Sequence, residues 1–348
     1  MSIVDRLKLA FEGFSTPLLP DDYTRLVNPL WSARELRGRI VRVNRPTEDT
    51  AELVIRRGWG VPADFKAGQY IGLGVRVDGR FIWRSYSLTS APRSKDGYLT
   101  VTVKEHKDGR LSRHLVENVA EGTVVRLAAP AGDFHLTDPI PSELLFVTAG
   151  SGITPVISML RDLRSRDGKT TPDVVHVHSV RNREDLLFAE ELEAMQSTYP
   201  WFRFELRVTS EQGRLDANTL RQIVPDADQR TVYACGPSAM LDEIEEQFPD
   251  VRTERFNLDR GSTNAEGGLI TFPGRGSVEV DGATTILEAG EQIDVQLPYG
   301  CRMGICATCT QQLAAGIARD LRTGATHVEG ERIRTCVCVA AGDIELEP

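Results

Sequence analysis

Three rhythms of apolar and polar residues succeed one another along the chain. From Leu36 to about Thr137, short alternating segments such as Arg39-Ile40-Val41-Arg42-Val43 and Tyr98-Leu99-Thr100-Val101-Thr102-Val103 are separated by Gly, Asp and Pro turns. A period of two is that of a half-buried strand, and several such strands in succession predict a small antiparallel β-barrel. From Pro139 to Phe256 the rhythm changes: the apolar run Leu144-Leu145-Phe146-Val147-Thr148 is followed by a helical stretch and then by a second run, Val174-Val175-His176-Val177-His178. Strands alternating with helices predict a parallel α/β sheet. Ahead of both, Ile3, Val4, Leu7, Ala10, Phe11 and Phe14 recur at roughly helical spacing and run into Thr16-Pro17-Leu18-Leu19-Pro20. That segment lacks a strongly basic face, so it is expected to dock on the rest of the protein and not on a membrane surface.

A polar, glycine-rich stretch without periodicity separates the α/β part from the last module, as a flexible linker does. The expected division is a docking extension over 1–34, a barrel over 35–137, an α/β domain over 138–257, a linker over 258–266 and a C-terminal module over 267–348. The length of 348 residues fits two or three such domains. Composition adds little, since 26% charged and 41% hydrophobic residues are ordinary for a globular protein. The net charge of −9 argues against nucleic acid as a partner, and the last module alone carries −5 of it, with no Lys. No run of 18 apolar residues and no N-terminal apolar h-region is present, which places the chain in the cytoplasm as an expectation.

Five of the six cysteines fall within the last 48 residues. Cys301 and Cys306 have four residues between them, Cys306 and Cys309 have two, and Cys309 and Cys336 have 26. Four thiolates in the order C-x4-C-x2-C…C match the plant-type arrangement for a [2Fe-2S] cluster. Gly300 and Gly304 let the loop turn backbone N–H groups toward the sulfurs. A structural zinc site also accepts four thiolates, but commonly as two short-spaced pairs, whereas here three ligands share one loop. Cys336 and Cys338 are two apart and, on a strand, share a face, so spacing alone allows either as the fourth ligand.

Arg84-Ser85-Tyr86-Ser87 ends a strand-like stretch of the barrel: an Arg can pair a phosphate, a phenol can lie on a flat ring, and a hydroxyl can bond a ring nitrogen. Gly109-Arg110-Leu111-Ser112 leads into a helical stretch, and Pro130-Ala131-Gly132-Asp133-Phe134 closes the barrel. In Thr148-Ala149-Gly150-Ser151-Gly152-Ile153-Thr154-Pro155 the glycines allow close approach of a dinucleotide phosphate, with Thr154 as N-cap and Pro155 at the first helical position. Cys235-Gly236-Pro237 ends a further strand, and Glu254-Arg255-Phe256 follows. After the second run, Arg181 and Arg183 stand where nicotinamide enzymes that use NAD place an acid, and Arg there accommodates a 2′-phosphate. NADPH is therefore preferred over NADH.

Taken in order, R-S-Y-S, the Gly109–Ser112 stretch, P-A-G-D-F, G-x-G-x-x-P and C-G-P resemble the ferredoxin–NADP⁺ reductase family of flavoenzymes. YGCRMGICATC with TCVC resembles a plant-type ferredoxin of β-grasp fold. Ala307 stands where that family often has Gly, which the loop can accept if its φ stays negative. The resemblance implies that 35–137 binds FAD and 138–257 NAD(P)H. It implies that Arg84 and Ser112 meet the FAD pyrophosphate, Tyr86 contacts the flavin and Ser87 faces N5. It also implies that Gly150, Gly152, Thr154 and Gly236 hold the nucleotide, that Cys235 and Phe256 lie near the hydride path, and that Cys301, Cys306, Cys309 and Cys336 hold the cluster. Arg334-Thr335-Cys336-Val337 matches the T-C-V carrying the last ligand, which selects Cys336. The implied activity is that of an NADPH-dependent reductase passing hydride to FAD and single electrons through the cluster to a partner oxygenase, hydroxylase or fatty-acid desaturase, which can be membrane-bound. Two alternatives remain: a diaphorase-type reductase of small molecules, and a redox-sensing Fe-S flavoprotein.

Overall fold

A computed structural model describes residues 20–32, 35–77, 80–92, 94, 97–106, 109–166, 172–256, 267–299, 304, 307–321 and 323–347. The helically spaced N-terminal residues up to Leu19, the linker over 258–266, Gly300, Cys301 and Cys306 lie outside them.

The first sheet is built as the alternation demands. Strands β1 (Arg37–Thr47), β2 (Thr50–Arg57), β3 (Tyr70–Val77), β4 (Arg80–Ser87), β5 (Tyr98–Lys104) and β6 (Val124–Leu127) pair antiparallel in the order β4-β3-β6-β1-β2-β5. Just past β4, Leu88 bridges Val101 of β5, so the two outer strands meet. Ile40, Leu53, Ile55, Ile71, Leu73, Leu88 and Val101 are fully buried inside. This is the antiparallel barrel expected from the sequence. A short helix, α1 (Pro20–Val27), precedes it, and after α1 Leu30 is buried while Trp31 stacks on Trp59 at 4.8 Å. Helix α2 (Arg110–Glu117) covers the barrel with Leu111, Leu115 and Val116.

The second sheet is wholly parallel: β7 (Glu143–Ala149), β8 (Asp173–Val180), β9 (Phe202–Val208), β10 (Thr231–Cys235) and β11 (Arg252–Glu254) lie in the order β11-β10-β7-β8-β9. Successive residues of β7 feed opposite faces. Leu144 and Phe146 join α3 (Ile153–Ser165) and α4 (Ala189–Thr198), while Leu145 and Val147 join α5 (Ala217–Ile223) and α6 (Ser238–Gln247). Both faces are covered, which is why the run has no polar side. The chain leaves β7 toward β8 on one side and later returns with β10 on the other, so their carboxyl ends flank the switch point where open α/β sheets bind ligands.

In the third region β12 (Gly268–Phe272), β13 (Gly276–Val280), β14 (Thr310–Ala315), β17 (Arg332–Arg334) and β19 (Ile344–Leu346) form a mixed sheet, β13-β12-β19-β14-β17. Helix α7 (Ile286–Gln292) packs across it, started by a capping box in which Thr285 and Glu288 satisfy each other's backbone N–H. A second, three-stranded sheet, β16-β15-β18, joins β15 (Ile317–Asp320), β16 (Thr326–Val328) and β18 (Cys338–Ala340). Cys336 lies in the turn before β18, so Cys336 and Cys338 are not neighbours on one strand face, contrary to the expectation from their spacing.

Candidate functional site

The pleat of β4 sorts the R-S-Y-S residues. Arg84 and Tyr86 share one face and Ser85 and Ser87 the other. Arg84 is exposed and donates from Nη1 to the Trp83 carbonyl at 2.8 Å. Burial pushes the Tyr86 phenol up, against the lowering pull of Arg84, so it stays protonated. Ser85 and Ser87 each bury a hydroxyl with no hydrogen-bond partner among the described residues. Buried hydroxyls are nearly always bonded, so the orphan at Ser87, the last residue of β4, marks a donor that a bound group at the strand end would satisfy, and it fits FAD there. At the start of α2 a Cβ on Gly109 would come within 2.3 Å of Ser112 Oγ. The Ser112 hydroxyl donates to the Gly109 carbonyl at 3.0 Å and accepts from His106 N–H at 3.1 Å, so it closes its own loop.

On the α/β side, Gly150–Gly152 form one 3₁₀ turn, Gly150 with φ +54°, that leads into α3. That turn moves the helix start back: Gly152 is the N-cap, and Thr154 lies within the first turn, donating to the Ser151 carbonyl at 2.9 Å. The expectation of Thr154 as N-cap and Pro155 as first helical residue is thereby corrected, Pro155 being the third. A Cβ on Gly152 would stand 2.1 Å from the Cys235 carbonyl oxygen, and one on Gly236 3.2 Å from Ala149 Cβ. The G-x-G-x-x-P and C-G-P turns therefore touch backbone to backbone.

Two buried polar groups flank this contact. Thr148 Oγ1 lies 2.7 Å from both His176 Nε2 and His178 Nδ1, all three fully buried. The hydroxyl can donate to one ring and accept from the other, and the ring that accepts must be neutral. Burial lowers both histidines, His178 to about 3. On the other side, Cys235 is fully buried and in register with Glu254. Burial raises the Cys235 thiol, with Glu254 adding to the shift, and raises the Glu254 carboxyl to about 8. Glu254 Oε2 has no hydrogen-bond partner among the described residues. Arg255 turns away to Asp242 and Glu245 at 2.7 and 2.6 Å, and Phe256 is half-buried against the core that holds Phe134 and Tyr233.

Arg181 and Arg183 follow β8 and are exposed. Asp185 bonds Asn182 and pairs with Lys104 at 3.5 Å, which leaves both arginines without an ion pair among the described residues. Helix α3 also joins the two motifs. Ser158 Oγ donates to the Ser90 carbonyl at 2.8 Å, and Arg161 Nη1 to the Thr89 carbonyl at 2.8 Å while Glu191 holds its other nitrogens. Thr89 and Ser90 follow directly after R-S-Y-S-L. No sequence motif marks Ser158, Arg161, Glu191, His176 or His178 as site residues, and Thr148 and Glu254 enter the sequence reading only as members of their motifs, without a role of their own.

In the C-terminal module Cys309 Sγ and Cys336 Sγ lie 3.1 Å apart, and Gly304 N–H donates to Cys336 Sγ at 3.2 Å. Two converging thiols with an amide aimed at one of them suit a thiolate-held iron cluster. Cys338 sits instead beside Asp320 and His327. Ala307 adopts φ +55°, so the expectation of a negative φ fails: the turn needs the left-handed conformation, and the methyl group is tolerated there at a cost of about 1 kcal/mol.

Family models match in the same order: an oxidoreductase FAD-binding domain over 48–136, an oxidoreductase NAD-binding domain over 146–246 and a 2Fe-2S iron-sulfur cluster binding domain over 272–341. An NADPH oxidoreductase of Mycobacterium tuberculosis is 51% identical over 342 residues, 96% of this chain and 90% of that protein. The glycine betaine monooxygenase reductase subunit of Pseudomonas aeruginosa is 28% identical over 349 residues, 89% of this chain and 94% of its own. The solved structure of phthalate dioxygenase reductase shares the fold, with a TM-score of 0.64 at 23% identity over 90% of this chain and 98% of that one. No described helix is long and apolar enough to cross a membrane. The chain belongs to the family of oxidoreductases that join an FAD-binding, a NAD-binding and a 2Fe-2S domain in that order, with the Mycobacterium tuberculosis NADPH oxidoreductase among its members.

Proposed function

We propose that the chain takes reducing equivalents from NADPH and delivers them one at a time to a partner oxygenase, hydroxylase or fatty-acid desaturase, approached from the cytoplasm. The observation that carries this reading is α3, which starts at the nucleotide loop and is fastened by Ser158 and Arg161 to the residues just after R-S-Y-S. A single rigid element thus sets the distance between nucleotide and flavin. The Pseudomonas relative, named as a monooxygenase reductase subunit, supports an oxygenase as acceptor.

When bound, FAD accepts hydride from nicotinamide and releases electrons singly, and the [2Fe-2S] centre carries one at a time. The chain supplies position and charge. Arg84 would pair with the pyrophosphate and Tyr86 would lie against the ring system, while Ser87, at the end of β4, would offer its hydroxyl to the flavin N5. Gly150, Gly152 and Gly236 admit the nucleotide to the switch point, and Arg181 with Arg183 meets the 2′-phosphate. Cys235 and Phe256 shape the hydride path and exclude water from it. Glu254, half-buried with one carboxylate oxygen shielded from solvent, keeps its proton up to about pH 8 and stands in register with Cys235. Cys301, Cys306, Cys309 and Cys336 hold the cluster. The working units are 35–137, 138–257 and 267–348, with 1–34 docking and 258–266 linking.

The test is a comparison of acceptors. Cys336→Ser should abolish NADPH-driven reduction of cytochrome c while reduction of ferricyanide survives, and retention of both would overturn the reading. Arg181→Ala should raise KM for NADPH about ten- to a hundredfold and leave NADH nearly unchanged, because a charge-assisted hydrogen bond contributes about 1.5–3 kcal/mol. Equal losses for both nucleotides would transfer the preference to NADH.

A further inference from the structure

Each strand of the small sheet β16-β15-β18 carries one metal-ligating residue. Asp320 ends β15, His327 is the middle residue of β16 and Cys338 opens β18. One carboxylate oxygen, one ring nitrogen and the sulfur all lie within 4.8 Å of one another. Strand register explains the convergence. Asp320 is directly opposite Cys338, and His327 is opposite Ala318, two residues before Asp320. Directly opposed and diagonal residues of antiparallel strands share a face, and the small Ala318 leaves room there for the imidazole.

The geometry points to a second metal site in this module, holding one zinc ion through Cys338, His327 and Asp320 with water in the fourth position. Thiolate, imidazole and carboxylate together are a zinc donor set, and a site of three protein ligands with one open position is an ordinary zinc geometry. On binding, the Cys338 proton passes to solvent, so the charge of the ion is matched by one thiolate and one carboxylate, both in buried residues. The outer contacts suit the assignment. Glu331 Oε2 lies 2.9 Å from His327 Nδ1, which leaves Nε2 with the lone pair for the ion, and Thr323 N–H orients the Asp320 carboxylate at 3.2 Å. His327 keeps 24% of its side chain exposed, which provides an entry path. The ion would fasten β18, which begins two residues after Cys336, to β15 and β16. The site itself does not depend on which cysteines hold the cluster.

The experiment uses the purified holoprotein with flavin and cluster in place, dialysed against graded zinc buffers, with zinc, iron and sulfide measured together. Saturable uptake of about one zinc per chain at unchanged iron and sulfide is expected. The zinc K-edge should report one sulfur at about 2.3 Å with nitrogen or oxygen neighbours at about 2.0–2.1 Å. His327→Gln and Cys338→Ala should each weaken zinc at least about tenfold, and Glu331→Ala about ten- to a hundredfold. His327 is partly exposed, so its variant remains informative should Cys338→Ala misfold. A four-sulfur shell with loss of iron would place the zinc in the cluster position and overturn the proposal, as would full zinc retention in His327→Gln or no uptake at all.

Discussion

Neighbouring strands of the parallel sheet bury two titratable clusters, and the same physics drives them apart in pH. Between β7 and β8, desolvation moves His176 and His178 downward, far from neutrality, and Thr148 ties them together. Between β10 and β11, desolvation moves Glu254 upward to about 8, into the working range of a cell, with no partner for Oε2 among the described residues. Removing water always disfavours the charged form, so a buried base stops titrating near neutral pH while a buried acid starts to. The first cluster reads as scaffolding and the second as the place where a proton can be kept or released.

The contrast can be broken most forcefully at its shared hydroxyl. Thr148→Val removes the partner of two buried rings at once, and with about 1–3 kcal/mol for each polar group left unsatisfied, denaturant unfolding should show a loss of about 2–6 kcal/mol. A loss below 1 kcal/mol would mean that water or a rotated ring replaces the hydroxyl.

Next in size is the acid limb. His178 is held below its unfolded value near 6.5, so its contribution is fully present above pH 6.5 and is lost as pH falls toward 3. From pH 6.5 to 5 that slope removes about 2 kcal/mol for one histidine. His178→Gln should flatten the stability curve over that window, as followed by thermal unfolding.

Glu254 should slope the other way. Its folded value is raised from 4.5 to about 8, so folding prefers the protonated form, and stability declines as pH rises between those two values. Glu254→Gln should therefore stabilise the protein at pH 8 by about 1–3 kcal/mol while lowering NADPH-driven turnover about tenfold or more, since a positioned proton donor contributes about 10²–10⁴-fold where it acts. Greater stability with unchanged turnover would make Glu254 a buried burden with no part in the chemistry. The smallest effect sharpens the comparison: an inflection of kcat near pH 8 is expected from Glu254, and Cys235→Ala should leave it in place, because burial and not the thiol raises Glu254. A pH profile of kcat is the measurement.

Much of this molecule is written locally, and the rest is written in pairings. The run Leu144–Thr148, the glycine turns and the cysteine loop carry period, turn chemistry and ligand spacing within a few residues, so sheet type, barrel and candidate cluster could be read directly. The Thr148 cluster could not, because His176 and His178 lie 28 and 30 residues away and come alongside only through the register of β7 with β8. Glu254 ends a strand of three residues whose burial depends on β10. Thr154 has the residue type and place of a cap, but a 3₁₀ turn at Gly150–Gly152 moves the helix start by two residues. Ala307 shows the complementary failure: a residue type disfavoured at positive φ occupies such a position because the loop requires it.

The contact at Gly152 sets a limit on how this sequence can vary. With the Cys235 carbonyl oxygen only 2.1 Å from where a Cβ would lie, even alanine must push β10 and the loop after β7 apart. Cys235 is in register with Thr148 on one side and Glu254 on the other, so that displacement reaches both buried clusters together. A saturation-mutagenesis library selected for electron-transfer activity should therefore recover glycine alone at residue 152, whereas exposed Arg181 and Arg183 should accept exchanges that trade one nucleotide for the other.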